Sequence, residues 1–130
     1  MSSIFTKIIN GEIPSYKIAE SEKFYAFLDI FPLAKGHTLV VPKKEVDYIF
    51  DLDDDLLGEM MVFSKKVAKA IEAVVPCQRI GVTVIGLEVP HAHVHLIPIN
   101  SIHDMDFSKE KLKLEREEFQ SLAERIKSKL

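Results

Sequence analysis

The segment HAHVHLIPI, residues 91–99, holds three of the chain's five histidines within five positions. On an extended strand successive side chains alternate between faces, so His91, His93 and His95 share one side while Ala92, Val94 and Leu96 share the other. The small and aliphatic set suits packing, whereas the imidazole set needs a reason. A solvent-facing polar row is the plainest, but neighbouring imidazoles repel once charged, and Thr, Lys or Glu serve a bare surface better. A metal site is a second reading, since zinc takes histidine ligands paired on a strand. Yet positions i and i+4 of a strand lie about 13 Å apart. One ion reaches all three only across a severe bend, which leaves two of them with His37 or Glu88 as the metal arrangement. The third reading is nucleophilic. A neutral imidazole attacks phosphorus, and with an ordinary pKa of about 6.5 much of it is neutral at pH 7. The product is a phospho-imidazole, and adjacent histidines hold phosphate oxygens or supply a proton to the leaving group.

Such residues need a frame. A chain of 130 residues suits a single domain over 1–130 with its own core. The single cysteine, Cys77, excludes an intrachain disulfide and a cysteine-based zinc site, and suits a reducing compartment. A net charge of −3 without a dense basic block argues against nucleic acid as a partner. No stretch has the roughly 20 apolar residues of a membrane span, and the first residues lack a signal-length apolar run, so the expected location is cytoplasmic.

Element by element, Ser2 or Ser3 caps a short helix over 4–9 that Asn10-Gly11 ends. Strands are expected over 16–19 and 23–29, joined by Glu20-Ser21-Glu22, and over 37–41. Asp53, Asp54 and Asp55 open a long helix over about 53–75, with Leu56, Leu57, Met60, Val67, Ala68, Ile71 and Val74 at helical spacing and Pro76 as its stop. Two more strands follow over 79–85 and 92–99, and a last helix over 115–129 carries Phe119, Leu122, Ala123 and Ile126 on one face. Runs of strands with short turns give an α+β class with a mainly antiparallel sheet. The five glycines stand singly, so no phosphate-binding glycine fingerprint exists.

HAHVHLIP resembles the His-φ-His-φ-His-φ-φ motif (φ, apolar) of the histidine triad (HIT) family of nucleotide-binding hydrolases and transferases. The likeness continues through IFTKIINGEIP, AFLDIFP and GHTLVVPKK, spans a core of about residues 4–99, and looks nearest to the Hint-like branch. It implies the HIT fold, a five-stranded antiparallel sheet with a long helix and a C-terminal helix, continued across a homodimer. It implies His93 as the nucleophile that takes a nucleotide's α-phosphate, with His91 and His95 orienting the phosphate and assisting departure. His37 matches a fourth histidine beside the triad, and Asp29 matches a carboxylate that binds ribose hydroxyls. Phe5, Ile8, Ile13, Leu28 and Leu39 match an apolar slot for the base. No cofactor and no metal are implied. The expected ligand is a small nucleotide, purine preferred.

The chain also departs from the pattern. Where many bacterial relatives carry a zinc-binding cysteine pair, Ser3 and Thr6 stand, so a structural zinc is not expected. In GLEVPHAHVH, Leu87 and Glu88 replace a Gln and a hydroxyl residue that help hold the phosphate. A Glu88 carboxylate aimed at phosphate opposes binding, so as a nucleotide-binding residue Glu88 either turns away and serves through its backbone N–H or contacts another part of the substrate. The expected activity is hydrolysis or nucleotidyl transfer on a nucleotide conjugate, of phosphoramidate or dinucleoside polyphosphate type. A non-catalytic nucleotide-binding regulator and a histidine-ligated metal-dependent hydrolase are the alternatives. Residues 101–130 form an extension whose helix packs on the sheet or the dimer, and Met60, Met61 and Phe63 are compatible with a dimer surface.

Overall fold

The computed structural model describes residues 2–130. Helix α1 spans Ile4–Ile9, with the Ser3 hydroxyl accepting from the Thr6 amide as its N-cap. Gly11 at φ +79° turns the chain away from it. Strands β1 (Lys17–Glu20) and β2 (Phe24–Leu28) form a hairpin whose turn Ser21 closes through the Phe24 amide. Strand β3 (Thr38–Pro42) is followed by a 3-10 turn over Ile49–Asp51, then by α2 (Asp54–Glu72), capped by Asp53 on the Leu56 amide. Strands β4 (Arg79–Thr83) and β5 (Val94–Ile99), a second 3-10 turn over Ile102–Met105 and α3 (Arg116–Lys127) complete the order. The five strands form one antiparallel sheet in the order β1-β2-β3-β5-β4. The α+β expectation is met. No helix of the described residues is long and apolar enough to cross a membrane.

Both faces of the sheet are covered, which is why β2 and β3 are buried along their whole length. On one face Phe24, Ala26, Leu28, Val40, Val94 and Leu96 pack against Met60, Val67 and Ile71 of α2 and against Phe119, Leu122, Ala123 and Ile126 of α3. On the other, Tyr25, Phe27, Leu39 and Val41 pack against Phe5 and Ile8 of α1, with Ile13 and Val89 at the margin. The C-terminal helix therefore belongs to the same core as α2, and Phe119 stacks on Tyr16 at 4.8 Å.

Three expectations need correction. Leu28, assigned to the base slot, has the parity of Phe24 and Ala26 and lies on the helix side of the sheet. Its neighbour Phe27 holds the other face. The expected strand over 92–99 begins two residues later, at Val94. Pro90 has no N–H to give a ladder, the His91 amide turns back to the Val89 carbonyl at 2.8 Å, and the Ala92 amide bonds the Val46 carbonyl at 2.7 Å. His91 and His93 thus sit on a curved segment, and only His95 is on the strand. The long helix also stops short of its expected end, with its last residue at Glu72 and Ala73 as cap.

Gly36 sits at φ +91° just before His37, and a Cβ there would lie 3.0 Å from Val75 Cγ2. The turn that delivers His37 to the sheet thus requires glycine on both conformational and steric grounds.

Candidate active site

The three triad histidines are buried, so the solvent-facing row expected as the plain reading is not what they form. Their hydrogen-bond partners decide where each proton lies. His93 Nδ1 is 2.7 Å from the His91 carbonyl oxygen, which only accepts, so Nδ1 carries the proton. Its Nε2 keeps a lone pair, has no hydrogen-bond partner among the described residues and reaches the surface. Burial holds His93 below the ordinary histidine pKa, while the bond to the His91 carbonyl pulls it upward. The nearness of a second basic ring, His91, lowers it further, and the Asp29 and Glu88 carboxylates raise it.

His91 is engaged on both ring nitrogens. Nε2 donates to the Pro42 carbonyl at 2.7 Å, and Nδ1 lies 2.7 Å from Ser3 Oγ. Ser3 Oγ already accepts from the Thr6 amide, so its own proton goes to His91. With both ring nitrogens engaged, what His91 presents to the site is its carbonyl, to His93.

The second pair is ordered from the backbone outward. The Leu33 amide donates to His37 Nδ1 at 3.0 Å, so His37 Nε2 carries the proton and donates to His95 Nδ1 at 2.9 Å. His95 Nε2 therefore carries a proton, with no partner among the described residues, beside His93 at a ring separation of 5.0 Å. Burial, reinforced by the nearness of other basic side chains (His37 and His93 for His95, Lys111 and His93 for His37), pushes His95 down to about 3 and His37 to about 4, so both are neutral at pH 7. The Asp29 Oδ2 atom lies 3.5 Å from His37 Nε2, and its Oδ1 accepts from the Phe31 amide.

The apolar slot opens beside His93. The Phe5 ring stands edge-on to it at 4.9 Å and to Phe27 at 5.5 Å, with Ile8 and Leu39 in the same cluster and Ile13 at its edge. Glu88 is exposed, has no side-chain partner among the described residues, and acts on His93 only through its charge. Several residues here were not expected from the sequence. Phe27 was recoverable by counting strand parity back from Leu28. Phe107 was not, because it comes from the irregular segment before α3 and lies 4.9 Å from His95 and 6.1 Å from His37. That segment is tied down by the Leu112 amide on the Pro32 carbonyl, and the Lys111 charge bears on His37. Glu45, behind Ser3 and Thr6, also carried no sequence signal.

Two metal arrangements fit poorly. Ser3, Thr6, Glu45 and His91 offer two hydroxyls, a carboxylate and an imidazole where a structural zinc takes thiolate and imidazole. The 2.7 Å approach of Ser3 Oγ to His91 Nδ1 is that of a hydrogen bond, shorter than the roughly 3.3 Å between ligands of a tetrahedral zinc. Asp29, His37 and His95 place one ligand atom each within 4.8 Å of one another, but the 2.9 Å between His37 Nε2 and His95 Nδ1 is again a hydrogen-bond distance rather than a ligand–ligand one.

A five-stranded antiparallel sheet with the triad on its α1 face, a fourth histidine paired to it and an aromatic slot alongside defines a class of protein, and the comparisons give it a family. Residues 10–102 match the HIT domain, and the chain belongs to that family. It is 38% identical to the adenosine 5'-monophosphoramidase hnt1 of Schizosaccharomyces pombe over 133 aligned positions, covering 100% of this chain and 99% of that protein. It is 43% identical to the adenosine 5'-monophosphoramidase HNT1 of Saccharomyces cerevisiae over 97 positions, covering 73% of this chain and 61% of that one. Among solved structures, a Hit-like protein involved in cell-cycle regulation from Bartonella henselae superposes with a TM-score of 0.85 at 31% identity, covering 99% and 96% of the two chains.

Proposed function

We propose that this protein hydrolyses or transfers a nucleoside monophosphate from a small purine nucleotide conjugate through a covalent nucleotidyl-histidine on His93. The observation that carries the reading is the 2.7 Å hydrogen bond from His93 Nδ1 to the His91 carbonyl. It fixes the tautomer whose Nε2 lone pair is free to attack the α-phosphorus, and burial keeps that ring neutral. As the Nε2–P bond forms, the bond from phosphorus to the leaving group breaks and the ring becomes imidazolium-like. Its Nδ1–H then becomes a stronger donor to the His91 carbonyl. Water next attacks phosphorus, the Nε2–P bond breaks, and the nucleoside monophosphate leaves.

His95 donates its Nε2–H to a phosphoryl oxygen. A proton passes through it to the leaving group only once the phosphate's negative charge has raised its pKa. Asp29 accepts from the ribose hydroxyls, and the base enters between Phe5, Phe27, Ile8 and Leu39. Glu88 has two opposed effects: it repels the bound phosphate and favours the cationic phospho-imidazole. The activity named for the yeast and fission-yeast relatives supports a phosphoramidate as the conjugate. The reading includes a homodimer. It is supported by the free edge of β4, with Val82 exposed on it and Val84 and Ile85 exposed just beyond its end, and by exposed Met61 and Val62 on α2.

The test is turnover of an adenosine phosphoramidate and a dinucleoside polyphosphate, with and without a chelator, beside His93→Ala. Expected are chelator-insensitive turnover, a trapped adenylyl adduct on His93 in the quenched enzyme, and a loss of at least about a thousandfold in His93→Ala. Unchanged activity in that variant overturns the covalent route. Binding without turnover of either conjugate makes the protein a nucleotide-binding module. Activity that a chelator abolishes and zinc restores assigns the chemistry to a metal instead.

A further inference from the structure

The cluster at the start of α1 is more than a helix cap. Glu45 Oε1 accepts from the Ser3 amide at 2.7 Å and from Thr6 Oγ1 at 2.5 Å. Ser3 Oγ accepts from the Thr6 amide at 3.1 Å and spends its proton on His91 Nδ1 at 2.7 Å, against a distance of 3.3 Å to Thr6 Oγ1. Each donor has one best acceptor, so the proton order runs in a single direction: Ser3 to His91, and His91 Nε2 to the Pro42 carbonyl. The His91 ring is thereby pinned on both nitrogens with no exposed surface, and the carbonyl of this pinned residue is the one that holds His93 Nδ1. The same short helix carries Phe5, whose ring edge meets His93.

From this we infer that Ser3, backed by Glu45, is a positioning residue for the nucleophile. The Glu45–Ser3–His91 clamp fixes the carbonyl that selects the His93 tautomer, and joins the base slot to the reacting nitrogen through α1. The clamp occupies the positions where the family likeness raised a zinc-binding cysteine pair, and it orders the segment with hydroxyls and a carboxylate. The inference deepens the proposed function and rests on it for the word nucleophile. Its geometric content stands apart, because the state of the His93 ring is measurable without substrate.

The experiment is imidazole 15N NMR of the ligand-free protein together with steady-state kinetics, for wild type, Ser3→Ala, Ser3→Thr and Glu45→Ala. Ser3→Ala also removes the α1 cap, whereas Glu45→Ala keeps it, so the pair separates clamp from cap while Tm is followed in each. Expected in wild type is a single Nδ1–H tautomer for His93. Expected in Ser3→Ala and Glu45→Ala is a mixture of tautomers, with kcat lowered about tenfold, as for loss of a group that orients a reacting residue, and KM within about twofold. Ser3→Thr restores both the single tautomer and kcat, because it keeps the hydroxyl proton. A His93 ring that stays a single Nδ1–H tautomer in both Ser3→Ala and Glu45→Ala overturns the inference, as does failure of Ser3→Thr to restore it. If wild type turns over no conjugate, the functional reading falls, while the NMR comparison still decides the clamp.

Discussion

At the scale of single residues, His37, His93 and His95 are imidazoles that burial holds toward the neutral form. That has a sign for stability. His37 and His95 are depressed in the folded state to about 4 and about 3 from an ordinary 6.5. The unfolded chain therefore binds protons first as pH falls, and the contribution of each is full above pH 6.5 and lost on descending below it. At pH 5 neither is protonated when folded, so each costs about 2 kcal/mol relative to pH 7.5. Urea unfolding at the two pH values should show the wild type losing about 4 kcal/mol through this pair. The double variant His37→Gln, His95→Gln should lose correspondingly less over the same interval. An equal pH slope in both proteins would refute the neutral pair. Glu88 makes a separate case. Being exposed, it is screened by solvent and its effect on a bound phosphate is small. Replacement by Gln should tighten binding of adenosine monophosphate about two- to threefold at low salt and not at high salt, which titration calorimetry at two ionic strengths would resolve.

At the scale of elements, strand parity decides which side chains face a nucleotide. Phe27 shares the α1 face with Leu39, and Leu28 shares the helix face with Phe24 and Ala26. Phe27→Ala should raise KM for a nucleotide conjugate about tenfold or more, since it opens the slot wall that meets Phe5. Leu28→Ala should leave KM within about twofold and cost about 2–5 kcal/mol of stability from the core cavity. Kinetics and urea midpoints on the same two variants separate them, and a reversed pattern would place the slot on the other face. The elements themselves were legible because their signals are local: β-branched runs, the Asp53 cap, the periodic apolar face of α2. The triad segment is less regular than its sequence pattern. A period-two pattern describes HAHVH, but Pro90 and the bonds of the His91 and Ala92 amides to Val89 and Val46 bend the backbone before the ladder begins. That bend lets the His91 carbonyl meet the ring of His93, and no alternation rule contains it. Nor does any local signal bring Phe107 or Glu45 to the histidines, since both contacts are closed by tertiary packing.

At the scale of the whole molecule, the core runs on past the segment that carries the triad. The match to the HIT domain stops at residue 102, while α3 supplies Phe119, Leu122, Ala123 and Ile126 to the cluster that also holds α2 and the helix side of the sheet. Without α3 that face would expose side chains of β1 and β2 and, just before β1, Tyr16, on which Phe119 stacks. The segment leading to α3 also carries Phe107 to His95 and His37. The extension is therefore both floor and wall: it closes the core and lines His95 and His37, as Phe5 lines His91 and His93. Ile126 is fully buried, so Ile126→Ala should cost about 2–5 kcal/mol. The loss is expected with KM unchanged, because Ile126 sits on the face away from the slot. Phe107→Ala should do the reverse, with the urea midpoint nearly kept and kcat/KM reduced. A chain ended after Asn100 keeps every triad residue and should nevertheless bind dyes that report exposed apolar surface and show no cooperative unfolding. A cooperative transition in that truncated chain would mean the sheet and α2 suffice, and that the extension serves the site alone.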